Sequence, residues 1–62
     1  GIKALEKQEL EEDIAILTSQ RTAIRRQART TLNEGDRFLL EKQAEDLSKK
    51  IRQKEADLKE LL

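Results

Sequence analysis

Apolar residues in this chain recur in alternating steps of four and three, the spacing that holds one stripe on one face of an α-helix. In the C-terminal half the stripe runs through Leu40, Ala44, Leu47, Ile51, Lys54, Leu58 and Leu61, an unbroken heptad line with one polar member. In the N-terminal half it runs through Leu10, Ile14, Leu17, Arg21, Ile24, Ala28 and Leu32, again with one charge in it. There the steps from Ile24 to Ala28 and on to Leu32 are both four, a stutter that locally relaxes a left-handed supercoil. Ile2 and Leu5 fall outside this frame and read as a fraying end or as a contact beyond the stripe.

Between the two stripes lies Asn33-Glu34-Gly35-Asp36, the one strong turn signal. Asn33 or Gly35 can take the left-handed conformation that ends a helix, and Asp36 suits the N-cap of the next. The pattern therefore predicts an all-α domain over residues 1–62: an antiparallel two-helix coiled-coil hairpin that assembles into a helical bundle. Helix 1 is expected over about 2–32, the turn over 33–36 and helix 2 over about 37–61. Phe38 and Leu39 lie off the heptad line beside the turn, and Phe38 is placed with the core as a closure of the tip. The rival is one continuous helix through Gly35, since Gly inside a helix costs only about 1 kcal/mol against Ala.

Charge favours the hairpin. Residues 1–17 carry −3, residues 18–32 carry +4, residues 33–47 carry −3, residues 48–54 carry +4 and residues 55–62 carry −2. Folding at Gly35 sets the arginine block, Arg21 to Arg29, against Glu41, Glu45 and Asp46, and sets Glu6 to Asp13 against Lys49 to Lys54. Each exposed pair contributes little, but the pattern disfavours a parallel in-register dimer, which would set the arginines against each other.

Composition narrows the class. Charged residues form 42% of the chain and Phe38 is the single aromatic, which also suits disorder; the sustained stripe argues against that. Sixty-two residues are few for a self-sufficient core, and small domains lean on disulfides, metals or partner chains. Cys and His are both absent, which removes disulfides and the commonest zinc ligand and leaves association. No apolar run approaches the ~20 residues of a membrane span, and no signal peptide opens the chain. The expected location is cytoplasmic, without membrane contact.

Candidate chemistry is sparse. Ser19, Ser48 and the threonines have no base beside them, so no nucleophile pair can be assembled. Glu9, Glu11, Glu12 and Asp13 lack the alternating oxygens of a calcium loop. No catalytic, metal or cofactor-binding residue is expected. The arginine block could be a phosphate-binding patch, but no aromatics are interleaved for base stacking, and a paired, solvated face is the simpler reading. Arg21 and Lys54 interrupt the stripes and read as register-setting residues. Ile16 and Ala23, seven apart and beside the main stripe, suggest a second apolar face where hairpins meet.

The run Asp36-Arg37-Phe38-Leu39-Leu40-Glu41-Lys42-Gln43-Ala44-Glu45-Asp46-Leu47 resembles the short helical hairpins of bacterial multidomain signalling and conflict proteins, found beside effector domains or STAND-type NTPase modules. The likeness covers the second half of the chain, and Gly35 stands where many relatives carry Pro. It implies a non-catalytic adaptor or oligomerising segment of a larger bacterial signalling or defence protein. The expected partner is the chain itself, as a dimer first and a trimer second, or a like hairpin. The alternative is an adaptor whose Arg21–Arg29 face binds an acidic ligand or nucleic acid; salt separates the two, because phosphate binding weakens steeply with it.

Overall fold

The computed structural model describes residues 1–62 and consists of two helices, α1 (Ile2–Thr30) and α2 (Glu34–Leu61), packed along their length as an antiparallel hairpin. The body is 49 Å long and 14 by 11 Å in section. That length follows from helices of nearly thirty residues rising 1.5 Å each. No helix is long and apolar enough to cross a membrane.

The two stripes face each other. Ala28, Ala44 and Ile51 are buried, and Leu10, Ile14, Leu17, Ile24, Leu40, Leu47, Leu58 and Leu61 are half-buried beside them. Alanines at 28 and 44 let the helices approach closely near the tip. Ser48 is also buried, four residues after Ala44 and three before Ile51, on the same face.

The tip differs from expectation in several ways. The first helix stops at Thr30, two residues early, and the second starts at Glu34, three residues early, so the turn is Thr31-Leu32-Asn33. Hydroxyls explain the early stop. Thr30 and Thr31 both donate to the Gln27 carbonyl, at 3.1 and 2.6 Å, and Thr31 is extended. Such side-chain bonds compete with the helical ladder and satisfy carbonyls left over at its end.

The start of α2 is set by Asn33. Its side-chain oxygen accepts from the Asp36 backbone N–H at 2.9 Å, and its carbonyl accepts from the Arg37 N–H at 3.0 Å. Asn33 is thus the N-cap, not a left-handed terminator, and Asp36 is the third helical residue, not the cap. Glu34 and Asp36 place negative charge where the helix dipole favours it. Gly35 sits inside the first turn, and no residue has a positive φ. A Cβ there would meet the Asn33 side-chain oxygen at 3.2 Å, so Gly35 makes room for the cap.

Two residues expected in the intrachain or oligomer core, Leu32 and Phe38, do not pack within the single hairpin. Leu32 is 93% exposed because the chain has already left the helix. Thr31 takes the half-buried place, three after Ala28, so the heptad continues and there is no stutter. Phe38 is 63% exposed and does not close the tip: two residues before the inward-facing Leu40, it lies about 200° round the helix.

Candidate functional site

Both stripe charges find partners within the chain. Arg21 Nη1 donates to Ser48 Oγ at 3.0 Å, and Lys54 Nζ lies 3.3 Å from Asp13 Oδ2. Arg21 and Lys54 are half-buried, and the Arg21 guanidinium reaches inward to the buried Ser48. Each contact joins α1 to α2, and a helix sliding by one turn would break both. In the sequence the only sign of Ser48's inward place is its spacing, four residues after Ala44 and three before Ile51.

The arginine block does not meet acids. Arg25, Arg26 and Arg29 are exposed, and the chain's ion pairs are Lys54–Asp13 and Arg52–Glu45, the latter within α2. The mirrored charge pattern is therefore joined directly at one place, Asp13–Lys54. Elsewhere opposite charges lie too far apart for contact and act only through a screened field.

On one side of the hairpin the cleft between the helices opens into a shallow trough. It is built of successive hollows that share lining residues: the first two share Asp13 and Lys54, the next two Gln20, the last two Gln43. Ile16, Gln20 and Ala23, at steps of four and three, form its α1 wall near the middle. The central hollow, of about 540 Å³, adds Ile24 and Leu47, with Asp46 and Lys50 on the α2 wall. Ile16 is 57% exposed and Leu39, toward the tip, 58%. The two residues singled out by sequence as a second apolar face thus line one continuous surface.

The ends of the trough differ. At the open end, where both termini lie, Glu6, Glu9, Asp13, Asp57 and Glu60 face a single base, Lys54. Toward the tip the lining is Gln27, Thr31, Leu39, Leu40 and Gln43, with Asp36 as the one charge. None of Arg21, Arg25, Arg26 and Arg29 lines this trough. Despite the acids, no group of three or more His, Cys, Asp or Glu side chains is arranged to hold a metal ion. The furrow is open to solvent along its length and is nowhere enclosed.

Searches of curated proteins and of solved structures find no match. A family model described as effector-associated domain 9 matches residues 1–61, nearly the whole chain. A small body of two packed helices agrees with such a segment, and the chain belongs to the effector-associated domain 9 family.

Proposed function

We propose that this domain is a non-catalytic association module. Its hairpin packs against a second copy, or a like hairpin, and so joins the domains attached to it within a multidomain signalling or defence protein of the bacterial cytoplasm. The family description, a domain associated with effectors, supports that setting. The assembly is a dimeric four-helix bundle first and a trimer of hairpins second.

One observation carries this reading: the single hairpin leaves too much surface in water. Its accessible area is 4978 Å², against about 4,100 Å² for a compact monomer of 7.2 kDa. The excess, roughly 850 Å², is close to what one partner contributes to a standard protein interface, ~800 Å². Only four of 62 residues are buried, and no large side chain is fully enclosed. Packing a second copy on the trough completes the core that one hairpin lacks. Sedimentation equilibrium from 1 to 100 µM tests it: the expected mass is twice 7.2 kDa. A monomer across that range contradicts the proposal.

A second reading rests on Arg25, Arg26 and Arg29, which have no acidic partner. They form a basic strip able to meet an acidic chain or a nucleic acid. The zero net charge and the lack of an aromatic among residues 18–32 weigh against nucleic acid. A binding titration with single-stranded RNA at two salt concentrations separates the readings: a steep loss with salt supports this one.

A further inference from the structure

The trough specifies how two copies lie on each other. Resting on the self-association reading, we infer that the hairpins pair trough to trough in antiparallel sense, the open end of one over the tip of the other.

The centre of the trough permits either sense. Ile16 is the middle residue of α1, which spans Ile2–Thr30. Around it Leu17, Ala23, Ile24 and Leu47 make the middle apolar, and Asp46 and Lys50 balance each other. A two-fold axis midway between Ile16 and Ala23 sets apolar surface on apolar surface whichever way the second copy points.

The ends decide. With both copies pointing the same way, two open ends meet, and five carboxylates with one lysine confront the same set. Like charges pressed together in a partly dry interface repel strongly. In antiparallel sense the acidic end of each copy covers the partner's tip. There the lining is Gln27, Gln43, Thr31 and two leucines, with Asp36 the one charge. The amides of Gln27 and Gln43 can donate to carboxylates. A face 49 by 14 Å projects roughly 700 Å² per copy, in the range of a stable interface.

The arrangement has a consequence for coupling. Both termini of one hairpin leave from its open end. An antiparallel pair places the two open ends at opposite poles, separated by about the length of one hairpin, 49 Å. Domains joined to the hairpins are then linked but held apart, as at the ends of a strut. A parallel pair would bring them side by side.

The chain has no cysteine, so single spin labels can be added cleanly. Ala4→Cys marks the open end and Arg37→Cys the tip, neither in the trough. Pulsed dipolar spectroscopy on each labelled dimer should give interchain distances of roughly 35–45 Å at both sites, from the helical rise on either side of that axis. Distances under about 25 Å at both sites, the parallel result, overturn the inference while leaving self-association intact. A wild-type monomer by sedimentation removes both. As an independent arm, the double variant Gln27→Lys/Gln43→Lys places two lysines over the partner's acidic end. Its dimer dissociation constant should fall about five- to tenfold at low salt, with the gain lost at high salt. A weaker dimer of unchanged helicity would contradict the antiparallel sense.

Discussion

The contact between Arg21 and Ser48 makes a quantitative prediction through a double-mutant cycle. Ser48 Oγ is buried, and Arg21 Nη1 at 3.0 Å is its one hydrogen-bond partner. Replacing Arg21 with Leu leaves that oxygen without a partner, which costs about 1–3 kcal/mol, toward the low end because a serine can turn to its own helix carbonyl. A leucine in this half-buried place returns about 1 kcal/mol of apolar burial. Arg21→Leu alone should therefore be neutral to destabilised by about 1 kcal/mol. Ser48→Ala removes the acceptor but leaves the arginine able to rehydrate. The better helix propensity of Ala offsets much of the loss, so a change within about 0.5 kcal/mol is expected. The double variant has no stranded oxygen and keeps both gains, so it should exceed wild type by about 1 kcal/mol. The coupling is then about 1–2 kcal/mol. In a domain of this size that moves Tm by roughly 4–8 °C per kcal/mol. Thermal melts must be run at one fixed protein concentration, because association raises apparent stability by mass action. A coupling below about 0.3 kcal/mol, the range of independent sites, would refute the claim that Arg21 and Ser48 hold the two helices in register.

Other expectations are simpler. Asn33→Ala removes the N-cap of α2 and should cost about 1 kcal/mol, read as a fall in Tm; no change would mean that the bond to Asp36 is not made in solution. Gly35→Ala should stay within about 1 kcal/mol of wild type. Its helical φ favours Ala, while the 3.2 Å contact with the Asn33 oxygen disturbs the cap; a loss well above that would indicate a left-handed glycine. Ile16→Glu/Ala23→Glu should yield a monomer of much lower helicity by sedimentation and circular dichroism, because four carboxylates would meet in the paired trough. A variant that stays dimeric would place the interface elsewhere.

The hairpin was legible because periodicity and turn chemistry agreed. Two heptad lines of similar length separated by one Asn-Glu-Gly-Asp run leave few other folds. The tip was not legible at the level of residues, and the reason is a competition between polar groups. Asn33 and Asp36 are both good caps, and sequence alone does not say which takes the role. Gly35 pointed to a left-handed residue, whereas here its missing Cβ gives the Asn33 oxygen room to cap. That choice moves the start of α2 back by three residues. The two threonine hydroxyls on the Gln27 carbonyl likewise end α1 early, which strands Leu32 in the turn.

The candidate surface was half legible, and the missing half is instructive. Ile16 and Ala23 stood out by their spacing, yet one-dimensional charge counting could not distribute the charges between two sides of a hairpin. It paired the arginine block with Glu41, Glu45 and Asp46 because they lie at matching heights. In three dimensions height is not enough: a side chain must also share a side of the cleft, and a two-helix body has two. Asp46 lines the trough while Arg25 and Arg29 do not, so the mirrored blocks pass each other without contact. The same sorting concentrates acid at one end of the trough and leaves its middle apolar. A hairpin with charges spread evenly around it would have no preferred face. This one is asymmetric from side to side and from end to end, and those two asymmetries are what give the proposed pairing one face and one direction.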